Sequence, residues 1–180
     1  VHEFLFGYVG AIAAGFLLTA IPNWTGRLPV RGGPLLALFA LWAIGRVALL
    51  VSPLIGVLPA IGVESVFLSV FALVVTREVV AGQNWRNLKT AVLVALLALG
   101  NIAFHAEVVL RGQADYSLRA GAAVILMLIM LVGGRIVPSF PRNWLARRGV
   151  TTLPAPFGPF DIFSMVAAAL ALVLWIASPD

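Results

Sequence analysis

The sequence predicts an all-α fold, a polytopic transmembrane helix bundle with about six spans. Three observations predict it. The 180 residues are 62% hydrophobic and 11% charged, with a mean hydropathy of +1.06. Soluble chains carry about a quarter charged residues. The charges are also clustered, leaving long uncharged runs of the length a bilayer span needs. Glycine and proline punctuation falls between those runs, as at Pro22-Asn23, Gly32-Gly33-Pro34 and Ser52-Pro53. The chain reads as a single integral-membrane domain over residues 1–180. It opens at Val1 inside an apolar stretch and stops at Asp180 just after another, so it is expected to be part of a longer protein.

A hydrocarbon core about 30 Å thick needs about 20 apolar residues per helix. Six stretches meet that, at 3–21, 34–52, 57–76, 88–109, 117–137 and 160–178. Pro34 suits the first turn of the second span, where its missing N–H costs little. Ser52-Pro53 ends that span, and the third follows so closely that the two are expected to form an antiparallel hairpin. The fifth span is expected to end in a proline-rich, basic loop over 138–159.

Orientation follows from the basic residues. Arg27, Arg31, Arg77, Arg86, Lys89, Arg135, Arg142, Arg147 and Arg148 lie in loops after odd-numbered spans, nine of the twelve Lys and Arg. Arg111 and Arg119 lie on the other side, and Arg46 lies within a span. The positive-inside rule then puts the odd loops in the cytoplasm and both ends of the chain on the periplasmic side. The net charge of +5 and pI of about 11.1 serve topology on this account and imply no nucleic-acid partner. The expected partner is a lipid bilayer. The absence of cysteine excludes a disulfide scaffold, a thiolate zinc site, a cysteine nucleophile and a covalently attached c-type haem.

Topology assigns a depth to each polar residue. His2 and Glu3 open the first span at the outer face. His105 falls roughly 6 Å inside that face and Glu64 roughly 10 Å, at 1.5 Å of rise per residue. Arg46 falls roughly 12 Å below it. Arg46 and Glu64 thus share a level on two arms of a hairpin, and an unpaired charge in hydrocarbon costs at least about 2.5 kcal/mol. They are expected to form an intramembrane ion pair, with Arg46 also able to face an anionic group such as a haem propionate. Glu3, Gly7, Gly10 and Ala14 fall on one helical stripe about 60° wide. Small residues there admit a second backbone, so Gly7, Gly10 and Ala14 are expected to serve helix packing. Asn101 and His105 lie one above the other, and Glu107 lies nearly opposite, close to the interface, where it is expected to be solvated rather than catalytic.

Neutral imidazole is the commonest metal ligand, and a neighbouring carboxylate or amide orients its ring. His2 beside Glu3, and His105 beside Asn101, have those residue types. The metal candidates are therefore His2 and His105. Glu3, Arg46 and Asn101 join them as candidate cofactor-binding residues, and no catalytic residue can be named. A histidine hydrogen-bonded across helices would leave the same signature. Met127, Met130 and Met165 fit packing better than copper ligation.

The stretch His2-Glu3-Phe4-Leu5-Phe6-Gly7-Tyr8, then Ala13 to Ala20, then Pro22-Asn23-Trp24-Thr25-Gly26 resembles the opening of the NnrS family. Gly32-Gly33-Pro34-Leu35, Trp42 with Gly45-Arg46, and Gly134-Arg135-Ile136-Val137-Pro138 through Arg142-Asn143-Trp144-Leu145 resemble it further. The family opening usually has a second histidine where this chain has Val1, and a threonine is expected where Pro141 stands. The resemblance implies a bacterial inner-membrane protein with about twice this many spans. It implies a non-covalent b-type haem and copper, and a place in nitric oxide metabolism, denitrification and relief of nitrosative stress. Nitric oxide or an iron-nitrosyl species would be the small-molecule ligand. Turnover as an enzyme and the electron donor stay open. Two other readings compete: a transporter whose Arg46, Glu64 and His105 line a polar pathway, and a structural subunit of a membrane redox complex.

Overall fold

A computed structural model describes residues 1–178 and shows seven helices, six of them long and apolar enough to cross a membrane. They are α1 (Glu3–Thr25), α2 (Gly33–Leu50), the one-turn α3 (Ser52–Ile55), α4 (Val57–Ala81), α5 (Leu88–Arg111), α6 (Tyr116–Arg147) and α7 (Pro159–Ala177). A single 3₁₀ turn, Trp85–Asn87, leads into α5. The described residues contain no strand. Short loops make the long helices alternate in direction. The starts of α1, α4 and α6 and the ends of α2, α5 and α7 therefore share one face, and the basic loops share the other.

Local chemistry sets the boundaries. Pro34 occupies the first turn of α2, and Pro159 opens α7, where the Gly158 N–H donates to Asp161 Oδ2 at 2.7 Å. Gly26 and Gly112 end α1 and α5 in the left-handed region, φ +68° and +79°, a conformation that costs a glycine nothing. Glu107 begins α6 from outside it. Its carboxylate accepts the backbone N–H groups of Asp115, Tyr116 and Ser117 and the Ser117 hydroxyl. These are the donors a helix start leaves unpaired. Glu107 is thus a cap rather than the solvated interfacial acid its position suggested.

Helix α4 lies at the centre, packed by α1, α2 and α5; α6 covers α5, and α7 lies outside on α6. Phe67, Leu68, Phe71, Val75 and Val79 of α4 meet Leu17 and Ile21 of α1 and Val94 and Leu97 of α5, all nearly or fully buried. Lipid tails are as apolar as these side chains, so packing rather than water exclusion must hold the helices. Small residues at the crossings allow it. A β-carbon on Gly45 would stand 3.2 Å from the Glu64 Cα, and one on Gly121 would strike the Phe6 ring. Outward-facing Leu36, Phe39, Leu73, Leu99, Ile129 and Leu170 are exposed, as lipid-facing positions are.

One boundary departs from expectation. The loop expected over 138–159 begins only after Arg147, because α6 continues through Pro138 and Pro141. Each proline removes one helical hydrogen bond. The returning loop packs against this segment: Arg142 Nη1 donates to the Pro154 carbonyl at 2.9 Å, and the Phe157 ring lies against Gly134.

Candidate metal centre

The alternation of helices gathers polar side chains at one end of the bundle. Helix α1 brings His2 and Glu3, α2 brings Arg46, α4 brings Glu64, and α5 brings Asn101 and His105. The start of α1, Glu3–Tyr8, is wound as a π-helix. Such widened turns are frequent at functional sites.

Five of these side chains form a nearly closed ring, and His105 branches from it at Glu64. Arg46 Nη1 donates to Glu3 Oε2 at 2.7 Å, and Arg46 Nη2 donates to Glu64 Oε1 at 2.6 Å. Glu64 Oε2 accepts Asn101 Nδ2 at 2.8 Å and faces His105 Nε2 at 2.9 Å. Asn101 Oδ1 faces His2 Nε2 at 2.8 Å, and His2 Nδ1 lies 3.4 Å from Glu3 Oε1. Exposure decreases inward. The side chain of Glu3 is 55% exposed, those of Arg46 and His2 15% and 12%, and that of Glu64 1%.

Donor and acceptor rules assign the ring nitrogens. An ionised carboxylate only accepts, so Asn101 turns its amide nitrogen to Glu64 and its oxygen to His2. His2 Nε2 must then donate to Asn101, and His105 Nε2 must donate to Glu64. In the neutral form each imidazole keeps its lone pair on Nδ1. Two carboxylates and one guanidinium give the ring one net negative charge when both imidazoles are neutral. The centre therefore attracts a cation and repels an anion.

Tight packing fixes this geometry. A β-carbon on Gly7 would strike the Arg46 guanidinium, so the absence of a side chain there lets Arg46 reach across α1 to Glu3. The Gly7 carbonyl accepts Trp42 Nε1 at 3.1 Å, tying α1 to α2. The His2 ring packs against Phe6, Phe104 and His105, with centroids 5.3, 4.8 and 4.5 Å apart. Among the described residues, His2, Glu64 and His105 can each offer a ligand atom within 4.8 Å of the others.

The sequence-derived candidates thus converge, with three differences in detail. Asn101 does not orient His105 from one turn below; it bonds Glu64 and His2, while Glu64 holds His105. Arg46 serves two carboxylates rather than one. Gly7 serves the guanidinium as well as helix packing. Phe6 and Trp42 enter the sequence reading only as family motif residues, without a role at the site, and Phe104 not at all, because aromatic residues in an apolar run carry no polar signal. Met127 and Met130 lie on α6 and Met165 on α7, helices that contribute none of these six side chains.

The family model for the NnrS protein matches residues 1–180. No curated protein and no solved structure matches the chain. The family is associated with metal cofactors and bacterial membranes, and a His/Glu cluster of this kind is a possible metal site. Membership and the six apolar helices together fit a multi-pass membrane protein of the nitric oxide response. With the match running over the whole chain, this protein belongs to the NnrS family.

Proposed function

We propose that this chain forms the metal-binding part of a bacterial inner-membrane protein that acts on nitric oxide or iron-nitrosyl species and relieves nitrosative stress. The observation that carries this reading is the convergence of His2, His105 and Glu64 at the inner side of a net-negative ring. Two imidazoles and a carboxylate suit copper among the cofactors associated with this chemistry, and they offer no soft sulfur. His2 and His105 would hold the ion. Glu64 would supply a ligand oxygen or fix the His105 ring through Nε2.

The same geometry limits how haem can be held. The His2 and His105 rings are in contact, with centroids 4.5 Å apart and planes tilted by 51°, and leave no room for a porphyrin between them. A b-type haem would be held by one of these rings, not both. Arg46 is paired with two carboxylates, Glu3 and Glu64, and its buried Nε alone has no partner, so it has less call for a propionate than an unpaired arginine would.

When bound, the metal would supply a site for nitric oxide and the redox chemistry that follows. The chain's own contribution is to hold two imidazoles in one tautomer, to place a negative charge beside them and to exclude water with Phe6 and Phe104. The polar residues close on themselves in one leaflet instead of running across the bilayer, which favours a metal centre over a transport pathway. Metal content and the visible spectrum of the purified full-length protein, with and without nitric oxide, test the reading. A spectrum that shifts with nitric oxide is expected, and a colourless, metal-free protein contradicts it.

A further inference from the structure

At the opposite, basic end of the bundle stands Arg135, in the segment Gly134-Arg135-Ile136-Val137-Pro138 that the metal centre does not use. Its guanidinium is half-buried and held by neutral oxygens alone. Nη1 donates to Asn87 Oδ1, Nη2 donates to the Arg86 carbonyl at 3.3 Å, and the buried Nε has no partner. Asn87 is itself fixed. It is 6% exposed, its Nδ2 donates to Asn84 Oδ1 at 3.1 Å, and Asn84 donates to the Trp24 carbonyl. A chain of amides from the end of α1 across the α4–α5 turn therefore aims one arginine.

Carbonyl dipoles orient a cation without neutralising it, and a charge drawn partly out of water calls for an anion. Among the described residues no carboxylate forms a salt bridge with Arg135, Arg86 or Lys89. Glu78, the acid of this end on α4, is taken by Arg27 at 2.7 Å. Two more cations are added instead: the exposed side chains of Arg86 and Lys89, three residues apart. The exposed indole of Trp85 beside them marks the level of lipid headgroups.

We propose that Arg135, Arg86 and Lys89 bind the phosphodiester headgroup of an anionic phospholipid at the basic face of the bundle. A guanidinium fork matches phosphate oxygens in pairs. Basic recesses between membrane helices on this side take such headgroups. The site is remote from His2 and His105 and stands independently of the metal reading.

Native mass spectrometry tests it, on the full-length protein released from nanodiscs of phosphatidylglycerol mixed with phosphatidylcholine. The wild type retains phosphatidylglycerol in preference. R86Q keeps the carbonyl that Arg135 uses and lowers retention about fivefold, the effect of one interfacial cation. R135Q lowers it at least as much, and R135K, which keeps charge and loses the fork, falls between. If R135Q fails to fold, R86Q decides. Equal phosphatidylglycerol retention in wild type and R86Q overturns the proposal, as does equal retention of phosphatidylcholine. So does inorganic phosphate that stabilises the lipid-free wild type as strongly as phosphatidylglycerol, since it assigns the site to free phosphate.

Discussion

Glu64 is the residue on which the bundle's polar end depends. Its carboxylate binds Arg46, Asn101 and His105 at once while 1% exposed. Glutamine at this position keeps one acceptor oxygen and turns a donor toward groups that already donate, while Arg46 keeps Glu3. A buried hydrogen-bonding group left unpaired costs about 1–3 kcal/mol. E64Q should destabilise the protein by that order, read as a loss of melting temperature in detergent. R46M/E64L, which removes both charges, should lose less than the two single changes summed. An E64Q melting curve that matches the wild type would mean that the ring contributes nothing to stability. Glycines give a second check. G45A would drive a β-carbon toward the Glu64 Cα, a backbone atom that cannot move aside, whereas a β-carbon on Gly15 meets nothing within 4 Å. G45A should lower the melting temperature and weaken the Arg46–Glu64 contact. G15A should be neutral or stabilising, by up to about 1 kcal/mol. Equal effects would refute close packing of α2 on α4. Depth arithmetic put Arg46 and Glu64 at one level, and their side chains meet at 2.6 Å. Glu3 as the second partner of Arg46 was not legible, because it depends on the gap that Gly7 leaves between helices.

Among the elements, helix existence was legible and helix ends were less so. Each of the six expected spans overlaps one long helix, because an uncharged run of about 20 residues has few other fates in a bilayer. The ends moved where tertiary contacts outweigh local signals. α4 runs on past Arg77 to Ala81, and α6 crosses two prolines because the returning loop packs against it. Glu107 shows the same limit. Its position in the sequence suggested an acid in water, and its partners lie eight to ten residues away at the start of another helix. E107A should cost about 1–2 kcal/mol, in the range of a lost helix cap. It should also speed hydrogen exchange at Asp115, Tyr116 and Ser117. Unchanged exchange there would show that α6 starts without help from α5.

The whole molecule is polarised. One end carries the His2, Glu64 and His105 cluster, and the other carries Arg27 with Glu78 and the arginines around Asn87. Charge counting on the loops assigns the second end to the cytoplasm. The cysteine-free chain makes this directly testable. A thiol reagent that cannot cross membranes should label Q113C, but not Q83C, in intact cells whose outer membrane has been made permeable. The reverse pattern would invert the topology and carry the His2, Glu64 and His105 cluster to the other side. The fold class was legible from composition, and the convergence of polar residues was legible from depth. The ligand atoms were not, because tautomers follow from contacts between helices that lie up to 99 residues apart in sequence. The measurement closest to the central claim is the metal stoichiometry of the full-length protein compared with H2Q, H105Q and E107Q. H2Q and H105Q should each lose the same metal ion while keeping the wild-type helical content, and E107Q should keep its load. A full metal load in both histidine variants would contradict the account.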